Sequence, residues 1–237
     1  MRLSLAAGAV AVAGLVLLGA AGPAYRLGVP LGSAFSMVRW AASIALGGAT
    51  LSLAALFWSR RKGRTGPAVV AGLAVLIGLL TAAVGYGWLR QAQAAPALHD
   101  VTTDLENPPA FEALAARRPG DSNPLTRSRE VDQLQRQHYA DLAPVTVSQP
   151  ERLVFERARL VAENQGWMIV TSDQDNGRLE ATDTTWWFGF TDDVVVRLTP
   201  WGTGTRVDVR SASRYGATDT GTNARRIRRF LKALQAP

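Results

Sequence analysis

The sequence has no cysteine in 237 residues. Disulfides, thiolate catalysis and cysteine-based metal sites are therefore excluded. Histidine occurs only at positions 99 and 138, and lysine only at 62 and 232. Acids are missing from the whole first part. Residues 1–95 carry no Asp or Glu, yet hold eight basic side chains: Arg2, Arg26, Arg39, Arg60, Arg61, Lys62, Arg64 and Arg90. All nineteen acids come later, against eighteen basic residues, so the net charge of +7 belongs to the first part alone. A near-neutral region behind a basic, acid-free, apolar one points to membrane topology and away from nucleic-acid binding.

Three apolar stretches, Leu3 to Gly22, Met37 to Trp58 and Pro67 to Leu89, come close to the ~20 residues that cross ~30 Å of hydrocarbon as a helix. The first also has features of a signal peptide, but the two spans behind it favour an uncleaved helix. "SRRKGR" (59–64) puts four basic residues between spans two and three, the mark of a cytoplasmic loop. The N-terminus is then cytoplasmic, and the chain after Leu89 is extracytoplasmic. A composition rich in Arg, Ala and Gly suggests a GC-rich bacterium, hence an inner membrane and a periplasmic domain. Arg39, beside Trp40 near the start of the second span, can snorkel to the interface. No span has Asp, Glu, Lys or His near its middle, which argues against a pump or transporter. Gly14, Gly19, Ala45, Gly48, Gly72 and Gly78 suit close packing of the three helices on one another or on a partner's helices.

Residues 91–147 read as an irregular strap or linker broken by six prolines, with one polar helix at 126–139. From 148 to 237 the pattern is regular. "SQPE" predicts a helix with Ser148 as N-cap and Glu151 reaching back. Its apolar face is Leu153, Val154, Ala158, Leu160 and Val161, and Gly166 stops it. Strands are expected at 167–172, 177–184, 192–199 and 205–213, and a last helix at 223–234. The expected fold is α+β: three transmembrane helices, then an α-β-β-β-β-α domain with a four-stranded antiparallel sheet, similar to helix-grip modules. Alternation turns Leu179, Ala181, Val194, Val196, Leu198, Val207 and Val209 toward the helices. Glu180, Thr182, Val195, Arg197, Arg206, Asp208 and Arg210 face away. "HDVTTDLENPPAF" (99–111) has neither strand nor helix periodicity, and its acids and hydroxyls match those outward arginines as a strap across the sheet.

These stretches, with "GRLEAT", "FGFTDDVVVRL" and "RVDVRSASRYGATDTGTNARRIRRFL", resemble the bacterial and plastid family named domain of unknown function 1499 (DUF1499). The resemblance runs from about residue 97 to the C-terminus, and the three-helix segment is similar to that of many bacterial members. It departs at Ala140, where the family usually has proline, and at the paired Trp186 and Trp187. The family has no established activity, so the resemblance implies fold and membership and no mechanism.

Several polar groups are candidates for chemistry. His99 with Asp100 and Asp104, and Ser211 or Ser213, would compose a hydrolase triad, but no Gly-x-Ser-x-Gly elbow is present. His99, Asp100 and Asp104, with Asp192 and Asp193, would be needed for a metal site and lack a spaced motif. A polar or anion site would draw on His99, Asp100, Thr102, Thr103, Asp104, Arg197, Asp208 and Arg210, together with Ser211, Ser213, Arg214, Asp219 and Asn223 at a strand-to-helix junction. At that junction Asp219, Thr222 or Asn223 could instead cap the helix, with Arg214 paired to a strap acid. In "TTWWFGF" (184–190) Phe188 and Phe190 would plug one end of the core; the alternative is that Trp186 and Trp187 form an exposed tip resting in the bilayer interface or on a partner. The combined expectation is a non-enzymatic, membrane-integral protein without cofactor or metal, whose domain binds a protein partner or supports a membrane complex. A small-ligand or lipid-binding module is the alternative, and a hydrolase comes third.

Overall fold

The computed structural model describes residues 1–218 and 220–236. The chain divides into two units: Met1–Gln93 with Trp187–Gly189, and Ala94–Trp186 with Phe190–Pro237.

The first unit holds three helices, α1 (Arg2–Arg26), α2 (Leu31–Arg61) and α3 (Thr65–Ala94). All three are long and apolar enough to cross a membrane. Their outward residues are large and apolar, as with Leu15, Val16, Leu53, Leu73 and Leu80. Most of the residues buried in them are small. A Cβ on Gly14 would meet the Ala45 amide nitrogen at 2.7 Å, and one on Gly78 would meet the Ala45 carbonyl at 2.6 Å. Gly48 lies equally close to Ala11. Gly19 and Gly72 have open space around them and take no part in this packing, which leaves them to the other expected use, packing on a partner's helices. They fall on turns of the helix that face outward.

Trp187–Gly189 group with these helices. Phe188 stacks on Trp88 (5.7 Å, 8°) and meets Phe35 edge-on at 5.5 Å, while Trp187 meets Trp88 edge-on at 5.9 Å. Phe188 is therefore no plug for the α+β core, because the loop carries it into another cluster. The loop is pinched at its base, where Phe190 N–H donates to Thr185 Oγ1 and Thr185 N–H to the Phe190 carbonyl. Trp186 is 88% exposed.

The second unit is built on one antiparallel sheet of six strands rather than the expected four. β3 (Met168–Asp173), β4 (Arg178–Thr184), β5 (Thr191–Trp201) and β6 (Gly204–Ser213) form the meander. Two short strands, β1 (Asp100–Thr102) and β2 (Val145–Val147), pair with different stretches of β6. The segment read as an irregular strap thus supplies two strands and a helix, α4 (Arg129–His138). Helices α5 (Glu151–Asn164) and α6 (Thr222–Gln235) cover one face.

All seven residues read as inward-facing lie in the core beneath these helices, with Phe155, Trp167, Ile227 and Phe230. Trp167 and Phe230 stack there at 5.0 Å. The capping box does not form. Pro150, with ψ at 145°, is the N-cap and Glu151 the first helical residue. Ser148 is kept outside because β2 runs to Val147 and turns sharply, the Gln149 amide donating back to the Val147 carbonyl. Phe155 and Ala162 are buried, whereas Leu153 and Leu160 are about half exposed. Gly166 ends the helix with φ at +82°, as expected for a left-handed stop.

Candidate functional site

Strand parity decides which polar groups meet. On β5 and β6 the pairs Asp193–Ala212, Val195–Arg210 and Arg197–Asp208 share the face away from the helices. Asp192–Ser213 and Val194–Ser211 share the helix face. The polar residues named from the sequence therefore fall into two networks on opposite sides of one sheet.

On the outer face, residues 103–128 cross the sheet, and charge pairs tie them down in three places. At the first, Asp104 accepts from Arg197 (3.1 Å) and Arg206 (2.8 Å), and the same two guanidiniums hold Asp208. Burial pushes the Asp104 carboxyl up, but the amides of Asn107 and Glu106 and the charges of Arg206 and Arg197 outweigh it, leaving the pKa below its ordinary 3.8. At the second, Arg210 grips Asp100 with Nε at 3.0 Å and Nη2 at 2.6 Å, and donates to the carbonyls of Pro109 and Leu125. Arg127 joins Asp100 to Asp132. At the third, Asp193 receives both Arg118 and Arg214 (2.8 Å).

Two uncharged anchors complete the lacing. The Gln135 side chain accepts from the Thr102 amide (3.1 Å) and donates to the Thr102 carbonyl (2.5 Å), acting as a one-residue strand beside β1. Thr103 exchanges bonds with Val209 in both directions. Glu180, fully buried on β4, accepts from the amides of Glu112, Ala113 and Leu114. Around it Phe111 and Leu114 pack on Val195 and Ala212.

On the helix face a smaller network surrounds Arg226, which is 2% exposed. Asp183 and Asp192 stand directly opposite each other on β4 and β5, an arrangement that repels. Arg226 resolves it by donating to Asp183 (2.8 Å) and Asp192 (2.6 Å), and also to Ser211 and Asn223. Ser211 Oγ donates to Asn223 Oδ1, while Asn223 Nδ2 donates to Ser213 Oγ and to the His99 carbonyl.

The thirteen candidate residues do not make one site. Asp100, Thr102, Thr103, Asp104, Arg197, Asp208, Arg210 and Arg214 belong to the outer network, and Ser211, Ser213 and Asn223 to the inner one. Asp219 lies outside the described residues. His99 gives its carbonyl to the inner network and sets its ring against the Pro124 carbonyl (3.3 Å). The serine hydroxyls bond to Asn223, so the drawn triad is not assembled. Asn223 does not cap α6 either. Gly221, with φ at +78°, is the N-cap, and Asn223 points into the sheet. Arg214 pairs with Asp193 rather than with an acid from the strap. Among the described residues, no group of three or more His, Asp or Glu is arranged to hold a metal ion.

Sequence reasoning missed Arg118, Arg127, Gln135 and Arg226 as network members and left Asp193 as a metal candidate. Asp193 shares the parity of Val195 and Arg197, a signal that would have placed it outward. Nothing local marks Arg118 or Gln135.

The outer network borders an open groove of ≈ 460 Å³ between the strap and the end of α4, lined by Thr103, Asp104, Arg136, Tyr139, Leu142 and Arg206 among others. The family described as "Protein of unknown function (DUF1499)" matches residues 100–234, from the first residue of β1 almost to the end of α6. The chain belongs to the DUF1499 family. The match starts with the strap, so crossing segment and sheet form one family unit. No curated protein matches the chain.

Proposed function

We propose that this protein is a multi-pass component of a bacterial inner membrane whose DUF1499 domain lies in the periplasm and acts without catalysis, as a partner-binding or accessory module of a membrane complex. One observation carries the reading: the acids and guanidiniums named as candidates for chemistry are engaged with one another, binding a strap to a sheet. Groups so paired hold a shape, and a held shape is what recognition by a partner requires. The orientation rests on Arg60, Arg61, Lys62 and Arg64 around the α2–α3 turn.

The absence of native cysteine makes the topology directly testable. Ala140→Cys is exposed in the domain and Thr65→Cys is exposed at the start of α3. In intact spheroplasts an impermeant maleimide should label the first and reach the second only after lysis. The reverse pattern would place the domain in the cytoplasm. Purification in mild detergent should bring down a stoichiometric partner, and its loss on substitution of exposed domain residues would locate the contact.

The groove beside Asp104 favours a second reading, a small-ligand module. Arg136 and Arg206 would receive an anionic group and Tyr139 with Leu142 an apolar one. Arg136→Ala would then abolish ligand retention and leave partner capture intact.

A further inference from the structure

A second groove lies wholly within the helical unit, between α1 and α2. It measures ≈ 460 Å³ and is lined by Leu17 of α1 and by Ser33, Ser36, Met37, Trp40 and Ile44 of α2. The lining is graded along the helix. Hydroxyls occupy the first turns of α2, and apolar side chains follow toward its middle. From Ser33 to Ile44 the helix rises about 16 Å. Trp40 is 65% exposed beside it.

Arg39 does not line the groove itself but reaches its polar end through Ser36, which does. Its Nη2 donates to Ser36 Oγ at 2.7 Å, so the guanidinium folds back toward the start of α2 and away from the middle of the span. Ser36 Oγ in turn donates to the Gly32 carbonyl at 2.8 Å. A guanidinium has five donors, and the bond to Ser36 engages one of them. The helical unit, residues 1–93 and 187–189, contains no Asp or Glu at all. No carboxylate of this unit can therefore meet that charge. An anion that sits at the end of a candidate membrane span and carries an apolar tail reaching about 16 Å inward has the chemistry of a phospholipid.

We infer that this groove seats one glycerophospholipid, with its phosphodiester against Arg39 and Ser33 and an acyl chain along Met37, Trp40, Ile44 and Leu17. The phosphate receives charge-assisted hydrogen bonds from the guanidinium fork. The acyl chain covers the exposed apolar surface of Trp40 and the half-exposed surface of Leu17, Met37 and Ile44. Gly32 leaves room for the headgroup, since a Cβ there would meet no atom within 4 Å.

The test uses the full chain in dodecyl maltoside, with retained lipid counted by native mass spectrometry. Added phosphatidylglycerol should be held at one per chain, and diacylglycerol with the same acyl chains, lacking the phosphate, about tenfold less tightly. Arg39→Gln should weaken phosphatidylglycerol about tenfold, Arg39→Lys much less, and Arg90→Gln, exposed on α3, not at all. Gly32→Leu puts its Cβ in open space and its side chain toward the headgroup seat, so it gives an independent reading if Arg39→Gln fails to fold. Equal retention of diacylglycerol overturns the inference. So does wild-type retention in both Arg39→Gln and Gly32→Leu, or displacement of the lipid by inorganic phosphate.

Discussion

The two units bury opposite kinds of residue. In the helical unit the closest backbone approaches are made at Gly14, Gly48 and Gly78 against alanines, and most large side chains point outward. In the DUF1499 unit the large apolar residues lie inside, and so do Asp100, Glu180, Asp192, Asp193, Asp208, Arg210 and Arg226. The difference follows from the solvent each is built for. Among lipid tails there is no hydrophobic gain in hiding leucine, so helices associate through close backbone approach at small residues. In water the apolar core drives folding, and charge can be buried only with its partner beside it. A buried charge pair contributes little net stability but is costly to break, which makes it a device for fixing one arrangement.

The sharpest break in that contrast comes from removing a shared acid. Asp193→Ala would leave Arg118 and Arg214 facing each other without a counter-charge, at a cost of about 3–5 kcal/mol. The shift would appear in the denaturation midpoint, with faster hydrogen exchange around residue 118. A loss below 1 kcal/mol would show that the strap does not depend on its charge pairs. The helical unit should fail by overpacking instead. Gly48→Leu would drive a Cβ against the Ala11 backbone and cost about 1–3 kcal/mol, read as lost protection in α1 and α2. The same substitution at Gly19, which has open space, should be silent.

The smallest effect is expected at Asp104. Its carboxyl is held below the ordinary value, so the folded state binds this proton less readily than the unfolded chain does. Its contribution is complete above the ordinary value of 3.8 and is lost as pH falls through the depressed one. Exchange of the Glu106 and Asn107 amides, which donate to this carboxylate at 3.1 and 3.0 Å, should therefore rise on acidification. Asp104→Asn should raise it already at neutral pH and flatten the pH profile.

Much of the fold was legible because its signals are local. The four long strands and α6 came from alternation and helical spacing within a dozen residues. The outward set on β5 and β6 came from the same alternation, and so did the expectation that strap acids answer Arg197, Arg206 and Arg210. β1 and β2 were not legible. Three residues each, they are strands only because β6 pairs with them, one from more than a hundred residues away. Glu180 reads as an ordinary outward acid until the amides of 112–114 arrive above it. The single anion site failed because the sheet separates what the sequence lists together, since neighbours on a strand point to opposite faces, and the hydrolase triad because Asn223 takes both serine hydroxyls while the His99 ring faces Pro124.

Composition and periodicity by themselves determined that the chain has an acid-free membrane-type part and a near-neutral α+β part, because lipid and water select different residues over any window of twenty. Tertiary structure alone decided which charges meet. Charge pairing is short-ranged in space and indifferent to separation along the chain, so Asp100 could find Arg210, and Arg118 could find Asp193, only once the sheet had set their faces and the strap had crossed it.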